Sequence, residues 1–575
     1  MCIRDSDDTN PDQNPGMEEV WYDGVDGDCD GESDFDQDGD SFEVDTHGGL
    51  DCDDENPDVN PTVLDEWYDG IDADCGGEDD YDKDGDSFAS DLYGGLDCDD
   101  DDPAVSPGTI EAWNGIDDNC VGGIDNFMVM GFSTLVLGTD APVHLGYENG
   151  ISSGDMDGDG HDDLIVAADI GGYAEEGVAY LLDGAMPWML IGDAEDRASA
   201  QFSGAAAGNW MGVMSSHQVD HIGSPSADLV MGGTDTIGGY AMCIIDGDLL
   251  TGPVSCADAG VRFTGADDDY PRVMTHLDLN GDGFAELVYA DSWHGPSDTG
   301  RVFVFSGAEI MGGDYDLLMD NDWRIDGRHA YDYVGSQLSG GDPNSDGYDD
   351  LFIGAYGDDH PEPKTGSIFV MNGAADTPPP VMTAQFDKDI QLYGETLNAQ
   401  VGRWNAGEVG DIDGDGARDI VVSSPGTESV HVWYTASTLT GGSHETVDAD
   451  LSIMGTDEGS GFGIGLATGD LDADGADDII IGAPDELYPG EGAADSEGHV
   501  YIFFGSEIVG GGLTASDAGA HFNGRLTGDN FGAVIRSGFD MNSDGREDIA
   551  VGAPGDAPAG EDEGQVHILL MPAGR

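Results

Sequence analysis

From about residue 127 onward, short apolar runs alternate with turns that are rich in glycine and aspartate. The runs at 163–166 and 478–481 are typical strand-sized segments bounded by turn residues, and no stretch has the period of a long amphipathic helix. Several such runs per repeat predict an all-β fold, a seven-bladed β-propeller over residues 127–575. The seven repeats are marked by acidic turns that begin at Asp155, Asp220, Asp278, Asp342, Asp411, Asp470 and Asp540.

One end of this repeat region carries an outer-strand segment that the other end lacks. Each repeat after the first is preceded by an outer-strand segment, as at 323–327 and 451–455. The seventh repeat stops after the run at 565–570, whereas an orphan copy of the outer segment stands ahead of the first repeat at 134–138. We therefore expect residues 134–138 to pair with 565–570 and to close the ring, because an open ring would expose strand edges.

Residues 6–126 follow a different pattern, with a period of about 46 residues. The segment at 21–29 recurs at 67–75, and 49–54 recurs at 95–100. Few apolar residues separate these landmarks, so the region is expected to form an irregular module held by calcium and disulfides rather than by a core. Residues 1–5 are interpreted as a sequencing artefact at a truncated start, because the opening of the chain resembles a translated transposon end.

Six of the seven acidic turns read Asp-x-(Asp/Asn)-x-Asp-Gly-x-x-(Asp/Glu), numbered here as positions 1 to 9. Calcium prefers oxygen ligands, which the side chains at positions 1, 3, 5 and 9 and the carbonyl at position 7 can supply, while glycine at position 6 allows the sharp turn. The predicted ligands are Asp155, Asp157, Asp159, His161, Asp163, Asp278, Asn280, Asp282, Phe284, Glu286, Asp342, Asn344, Asp346, Tyr348, Asp350, Asp411, Asp413, Asp415, Ala417, Asp419, Asp470, Asp472, Asp474, Ala476, Asp478, Asp540, Asn542, Asp544, Arg546 and Asp548.

The turn of the second repeat departs from this pattern. It keeps Asp220 and Asp228 at its ends but has Ile222 and Ser224 at positions 3 and 5, so we expect it to bind no ion and the propeller to hold six. His217 and His221 flank Asp220. A transition-metal site there stays open as an alternative to ordinary packing histidines.

Two further acidic loops lie in the N-terminal repeats and resemble the EF-hand loop, although aspartate rather than glutamate occupies the last ligand position. They are interpreted as calcium loops, with an acidic disordered linker as the alternative. The predicted ligands are Asp34, Asp36, Asp38, Asp40 and Asp45 in the first loop and Asp80, Asp82, Asp84, Asp86 and Asp91 in the second.

The cysteines at 29, 52, 75, 98 and 120 are almost evenly spaced, and even spacing alone does not settle their connectivity. The simplest pairing joins Cys98 to Cys120 and Cys52 to Cys75. Cys29 would then need a partner near Ser6, where the natural chain is expected to carry cysteine. In the second blade we predict a disulfide between Cys243 and Cys256. These pairings imply an oxidising, extracellular setting.

The charge balance limits the classes of molecule that the chain is expected to bind. With 121 acidic and only 16 basic side chains, the formal net charge is -105, which disfavours nucleic acid and anionic membrane surfaces. No run approaches the length of a transmembrane helix, so insertion of this fragment into a membrane is not expected. We predict an extracellular or cell-surface location, with any signal peptide lost at the broken start. The oligomeric state stays open.

Residues 462–463 and 531–532 read Phe-Gly, and residues 482–484 and 552–554 read Gly-Ala-Pro. In these motifs, residues 127–575 resemble the FG-GAP repeats of integrin alpha-subunit propellers. Residues 6–125 are similar to MopE-type metal-binding repeats and to thrombospondin type 3 repeats, but tyrosine at 22 and 68 and asparagine at 114 replace a usual cysteine.

The integrin resemblance implies a noncatalytic binding or adhesion module for an extracellular protein or glycan, with its site on the face opposite the calcium loops. The alternative is a calcium-dependent polysaccharide lyase or hydrolase on a propeller scaffold. Convergence of Arg403, Lys364 and a histidine in one pocket would favour the enzyme, because lyase chemistry needs a basic cluster. The candidate ligand contacts are Tyr270, Trp293, Tyr356, Tyr488 and Trp404.

Overall fold

A computed structural model of the chain has two compact units, one of Met1–Ala112 with Ile116–Gly123 and the other of Trp113–Gly115 with Ile124–Arg575. The structure describes residues 13, 15–77, 79–107, 109, 116–120, 126–128, 133–137, 150–156, 159–168, 178–184, 192–193, 198–203, 211–215, 229–234, 240–245, 254–255, 259–264, 273–310, 312–359, 365–375, 380–434, 439, 441–456, 460–484, 498–508, 511–524, 528–555 and 564–571.

The first unit is made of loops and turns, as its apolar-poor sequence predicts. Its described secondary structure consists of two 3-10 turns, Asp45–His47 and Asp91–Tyr93, each beside an isolated bridge. Among its described residues, Val59 and Val105 are the buried apolar side chains. Disulfides join residues 52 and 75 and residues 98 and 120, which confirms both predicted pairings. Ser6 lies outside the described residues.

The second unit is a seven-bladed β-propeller, as predicted, and each of its seven sheets has five strands. The first strands of the blades are β3 (Ile151–Gly154), β8 (Met211–Ser215), β13 (Val273–Leu277), β18 (Leu338–Gly341), β23 (Glu408–Gly410), β28 (Leu466–Gly469) and β33 (Val534–Phe539). The second are β4 (Asp163–Ala168), β9 (Leu229–Thr234), β14 (Glu286–Asp291), β19 (Asp350–Ala355), β24 (Asp419–Ser424), β29 (Asp478–Ala483) and β34 (Asp548–Ala553). The third are β5 (Val178–Leu182), β10 (Tyr240–Ile245), β15 (Arg301–Phe305), β20 (Ser367–Met371), β25 (Ser429–Trp433), β30 (His499–Phe503) and β35 (Gln565–Leu569).

The fourth strands are β7 (Ala200–Ser203), β12 (Val261–Thr264), β17 (Trp323–Asp326), β22 (Ile390–Tyr393), β27 (Leu451–Met454), β32 (Ala520–Asn523) and, in the seventh blade, β2 (Ser133–Leu137). The fifth are β11 (Val254–Ser255), β16 (Gly313–Asp316), β21 (Val381–Thr383), β26 (Gly442–Glu445), β31 (Gly512–Thr514), β1 (Asn126–Met128) and β6 (Gly192–Asp193). The described helical segments of this unit are single turns: His294–Asp298, Gly307–Glu309, Ala384–Asp387, Pro425–Thr427, Thr446–Asp448, Gly505–Glu507 and Ala515–Asp517.

Four strands of each blade are antiparallel, and the fifth is parallel and comes from the neighbouring repeat. β16, for example, lies in the chain between the third and fourth strands of the third blade, yet it pairs with β12 at the outer edge of the second. The same exchange recurs around the ring. Each blade is therefore held to the next by backbone pairing as well as by packing, which the sequence pattern did not reveal.

The ring is closed by the N-terminal strands of this unit. β2 pairs antiparallel with β35, placing residue 135 opposite residue 567, so the predicted closure is confirmed. β1 adds a second closing contact, pairing in parallel with β32 of the sixth blade. The first strand of each blade contacts those of its two neighbours in a complete ring.

The core lies between the blades, where second and third strands are buried on both faces. In β19 and β20 all side chains are buried, which is why these strands read as continuous apolar runs. The FG-GAP glycines permit close contact between blades. A Cβ on Gly482 would lie 2.0 Å from the carbonyl oxygen of Gly532, and Gly532 itself has a φ of 92°. Neither position can therefore accept a larger residue without rearrangement.

Candidate cation loops and central cavity

The six predicted propeller loops share one hydrogen-bond pattern. In the third blade, Asp278 at position 1 accepts the N–H groups of Asp282 and Gly283 at 3.1 and 3.0 Å. Asn280 at position 3 accepts from Asp282, and Asp282 accepts from Phe284. Matching bonds occur in the loops that begin at residues 155, 342, 411, 470 and 540. Backbone amides thus position the oxygens that were predicted as ligands.

The position-9 carboxylates are buried where the second strand starts, with 0 to 2% of each residue exposed. Asp478 accepts the N–H of Leu471 at 3.0 Å and that of Gly505 at 3.0 Å, so it joins the loop to the turn that follows the third strand. Burial, followed by the charges of neighbouring loop carboxylates, raises the pKa of Asp478 to about 8 and the pKa of Glu286 to about 7. A cation beside these groups would offset that cost.

Neighbouring loops are linked through position 8, a contact that the sequence analysis missed. The carboxylate of Asp349 accepts the N–H of Asp278 at 2.8 Å, and Asp477 accepts that of Asp411 at 2.8 Å. Asp162 accepts from Asp540, which joins the first and seventh blades. These links run from the position-8 residue of one blade to the position-1 residue of the preceding one. These bonds join three pairs of neighbouring loops, and the six loops together make an acidic rim at one end of the propeller.

Two predicted parts of this rim lie outside the described residues. One is Asp157, the position-3 residue of the first loop. The other is the turn from 220 to 228 together with His217, so the expectation that it is empty stays a prediction. Cys243 is disulfide-bonded, and its predicted partner Cys256 also lies outside the described residues.

In the N-terminal unit, the same hydrogen-bond pattern begins at Asp36 rather than at Asp34. Asp36 accepts from the N–H groups of residues 40 and 41, Asp38 from that of residue 40, and Asp40 from that of residue 42. One oxygen from each of these three carboxylates lies within 4.8 Å of the others. Asp34 instead accepts the N–H of Gly24, and Asp45 is exposed at the start of a 3-10 turn.

The second N-terminal loop repeats this arrangement from Asp82. The carboxylates of Asp82, Asp84 and Asp86 accept backbone N–H groups of the same loop. Asp80 accepts the N–H groups of residues 68 and 70, and Asp91 is exposed. Sequence reasoning missed four buried carboxylates that lie beside the two loops, at positions 51, 54, 97 and 100. Their sequence signal was the recurring Asp-Cys-Asp-Asp segment.

The first strands of the blades surround a central cavity of about 1110 Å³. Three of the predicted ligand contacts line it: Trp293, Tyr356 and Trp404. They follow second strands or precede a first strand, so strand direction places them at the end opposite the cation loops. Tyr270, Tyr488 and Lys364 lie outside the described residues.

Arg403 lies within an aromatic cluster at that end of the cavity. Its guanidinium carbon is 5.3 Å from the ring centroid of Tyr356 and 5.1 Å from that of Trp404. Tyr356 in turn stacks on Tyr333 with centroids 4.7 Å apart. Cation–π contacts of this kind hold the guanidinium while leaving its N–H groups able to donate. His276 lines the same cavity but stands two residues before Asp278, at the loop end.

Comparison with known proteins agrees with both repeat types. The FG-GAP repeat family matches residues 334–371, 462–503 and 531–569, and a family described as "Putative metal-binding motif" matches 5–34, 51–81 and 97–126. The chain thus carries FG-GAP repeats and metal-binding-motif repeats, as predicted. In the part of the chain that the structure describes, no helix has the length and apolar character needed to cross a bilayer.

Among curated proteins, the chain is similar to integrin alpha-PS2 of Drosophila melanogaster, with 35% identity over 28% of this chain and 11% of that protein. It is 28% identical to phosphatidylinositol-glycan-specific phospholipase D of Dictyostelium discoideum, over 39% of this chain and 25% of the relative. Integrin alpha pat-2 of Caenorhabditis briggsae is 30% identical over 42% of this chain and 19% of its own length. The chain spans a quarter or less of these relatives.

Proposed function

We propose that this FG-GAP propeller is an extracellular or cell-surface calcium-binding module that binds a protein or glycan without catalysing a reaction. The proposal rests on one observation, which is that the two ends of the propeller differ in their chemistry. One end is a rim of candidate cation loops, and the other opens to a cavity with one exposed tryptophan beside half-buried aromatic and arginine side chains. The first end suits a structural role and the second suits recognition.

Calcium fits the loops because their donors are carboxylate, amide and carbonyl oxygens, which a hard cation prefers. Histidine and cysteine side chains, which copper or zinc sites favour, do not occur at positions 1, 3, 5 and 9 of the six loops, and His161 at position 7 would contribute its carbonyl oxygen. Six divalent ions would also reduce the repulsion within a chain of formal charge -105. In this proposal the ions hold the loops and the second strands rather than contacting the ligand.

The ligand surface is proposed at the cavity mouth formed by Trp293, Tyr356, Arg403 and Trp404. Trp293 is 56% exposed, which is unusual for so large an apolar side chain. Aromatic residues and arginine are the side chains most often found at the energetic centre of a binding surface. Arg403 is one of only 16 basic residues in the chain, so it would provide a local positive charge for an acidic group on the ligand.

The proposal can be tested with a glycan array and a panel of extracellular matrix proteins. The unaltered chain, Trp293→Ala and Arg403→Ala are applied in calcium. Met319→Ala is the control, because Met319 is 78% exposed and lies in the turn after β16, away from the cavity. We expect each cavity variant to lose at least about tenfold in affinity, in line with removal of a binding hot spot, while the control binds normally. Equal binding by all four proteins would disprove this location.

The second candidate, a lyase or hydrolase, is favoured by one observation: a phosphatidylinositol-glycan-specific phospholipase D is among the similar proteins. Against it, His276, the histidine among the described residues that line the cavity, lies towards the opposite end of the cavity from Arg403, so these two residues do not converge. Incubation with uronate polysaccharides and with phosphatidylinositol glycans tests this alternative. Turnover that Arg403→Ala abolishes would favour the enzyme over the binding module.

A further inference from the structure

The two N-terminal loops lack an acidic residue at position 9. Counted from Asp36, position 9 is Val44, and counted from Asp82 it is Ser90. In the propeller, the position-9 carboxylate is buried and accepts the N–H of position 2, as Glu286 does from Leu279 at 2.9 Å. A loop with the same hydrogen-bond pattern needs an equivalent carboxylate from elsewhere in the chain.

Asp54 occupies that role in the first repeat. Gln37, at position 2, donates its N–H to Asp54 Oδ2 at 3.2 Å. In the second repeat, Lys83 at position 2 donates its N–H to Asp100 Oδ1 at 3.3 Å. Asp54 and Asp100 are 4% and 7% exposed, so both are almost as buried as the propeller carboxylates.

A further buried carboxylate faces each loop. Asp51 is fully buried, with one oxygen that has no hydrogen-bond partner, and Asp97 is the same in the second repeat. One oxygen from each of Asp38, Asp51 and Asp54 lies within 4.8 Å of the others. Buried oxygens without partners also occur on Asp38, Asp40 and Asp54 and on Asp84 and Asp86.

This arrangement is costly without a cation. Burying an ionised carboxylate with no partner costs several kcal/mol, and close like charges add to the cost. The same unfavourable group of oxygens occurs twice, 46 residues apart, in two copies of the repeat. A repeated cost of this kind indicates a site built for a ligand.

A tyrosine hydroxyl orients the carboxylate that comes from outside each loop. Tyr22 donates to Asp54 Oδ2 at 2.8 Å, and Tyr68 donates to Asp100 Oδ2 at 2.6 Å. The two tyrosines occupy the positions at which cysteine is usual in MopE-type repeats.

We propose that each N-terminal repeat binds one Ca²⁺ in a split site, with three loop carboxylates and one loop carbonyl on one side and two carboxylates from the following segment on the other. The donors are all oxygens, and their number reaches the six that calcium requires. The proposal is independent of ligand binding by the propeller. The sets are Asp36, Asp38, Asp40, the Phe42 carbonyl, Asp51 and Asp54, and Asp82, Asp84, Asp86, the Phe88 carbonyl, Asp97 and Asp100.

The test compares two double variants of the full chain by native mass spectrometry in saturating calcium. Asp51→Asn with Asp97→Asn removes one charge from each split site. Asp45→Asn with Asp91→Asn is the matched control, since these exposed residues are ligands only if the loops begin at Asp34 and Asp80. We expect the first variant to hold two fewer ions than the unaltered chain and the control to hold the full number. Retention of all ions by the first variant, or their loss from the control, would overturn the proposal.

A measurement on the unaltered protein covers the case in which the first variant fails to fold. Anomalous scattering from calcium in crystals of the full chain locates the ions directly. An ion bound by Asp51 and Asp54, with its counterpart bound by Asp97 and Asp100, supports the split site. An ion bound by Asp34 and Asp45, or no ion beside either loop, refutes it. A failed glycan and protein screen would leave this result unaffected, because the screen addresses the propeller cavity.

Discussion

Single carboxylates in the propeller loops serve the fold and the proposed cation together. Asp478 is fully buried and accepts two backbone N–H groups, which would anchor the loop even without an ion. Burial, together with the charges of Asp472 and Asp474 in the same loop, makes the ionised form of Asp478 unfavourable. A bound cation would offset the free-energy cost of that buried charge. Asp478 should therefore contribute more to the stability of the protein in calcium than in its absence.

Asp478→Asn should therefore destabilise the protein mainly when calcium is present. Loss of one ion at a calcium concentration of about 100 times its dissociation constant costs about 3 kcal/mol. In EDTA the loss should be smaller, because the neutral amide removes a buried charge while one of the two hydrogen bonds is kept. Urea unfolding in calcium and in EDTA measures both values. Glu309→Gln, an exposed charge outside the loops, is the control, and equal losses under the two conditions would contradict the prediction.

A buried histidine makes a separate prediction about pH. His431 in β25 is 7% exposed, its ring contacts Ser429 and Ser452 at 3.0 Å each, and burial lowers its pKa from 6.5 to about 4. The unfolded chain takes up this proton at a higher pH than the folded one does. The stabilisation is therefore complete above pH 6.5 and is lost as the pH falls towards 4.

The substitution His431→Gln should make the free energy of unfolding less dependent on pH over this range. The unaltered protein is expected to lose roughly 3 kcal/mol through this residue between those pH values, since one pKa unit corresponds to about 1.4 kcal/mol. Thermal unfolding at constant free calcium over the same range provides the measurement. His444→Gln, on the edge strand β26, should keep the slope of the unaltered protein. A variant at 431 with an unchanged slope would show that another group controls the acid sensitivity.

At the scale of elements, each repeat except the second combines a candidate cation loop with strands of two blades. The loop lies between the first and second strands, and the fifth strand extends the preceding blade. Loss of one ion would therefore loosen a blade locally, while the exchanged strand still holds it to its neighbour. Ion binding and blade formation are expected to be coupled within a repeat more strongly than between repeats.

The second repeat tests whether the sequence pattern of a loop predicts whether that loop binds an ion. Asp278→Asn should remove one ion from the native mass spectrum, because it takes a ligand from a complete loop. Asp220→Asn should leave the ion count unchanged, because positions 3 and 5 of that turn are already Ile222 and Ser224. The two variants make the same chemical change at the same loop position, so each serves as control for the other. Loss of an ion from the variant at 220 would show that the turn is occupied.

At the scale of the whole molecule, the closed ring has to be stable although the acidic side chains repel one another, since the formal net charge is -105. Two N-terminal strands close the ring at neighbouring blades, β2 against β35 and β1 against β32. Because both come from one short segment, 126–137, the last two blades are joined by the same piece of chain. Removal of that segment leaves two strand edges exposed.

Shortened chains should rank in stability by the strands that they keep. A chain starting at residue 124 retains β1 and β2, one starting at 131 retains only β2, and one starting at 146 retains neither. Loss of β2 removes about five strand hydrogen bonds, or about 3–6 kcal/mol, and loss of β1 removes less because it has three paired residues. Melting in calcium measures the order. Equal melting temperatures for chains starting at 124 and 146 would exclude a closing role.

The sequence by itself determined the architecture of the second unit and the chemistry of its loops. Strand-sized apolar runs, seven acidic turns and the orphan strand at 134–138 were enough to predict seven blades and their closure, because strand length and turn chemistry are local properties. The two N-terminal disulfides followed from the end of the cysteine series: no cysteine follows Cys120 until Cys243, so the simplest partner of Cys120 is Cys98, which leaves Cys52 to pair with Cys75.

Only the tertiary structure decided which residues meet across the chain. The exchange of fifth strands leaves no local signature, because a strand pairs through its backbone whichever blade it joins. Asp51 and Asp54 stand beside the loop at 36–42 only after the chain has turned through the 3-10 segment at 45–47. In the same way, Arg403 and Tyr356 come from different repeats and meet because the ring brings neighbouring blades together. Such contacts depend on folding geometry, which the order of residues does not display.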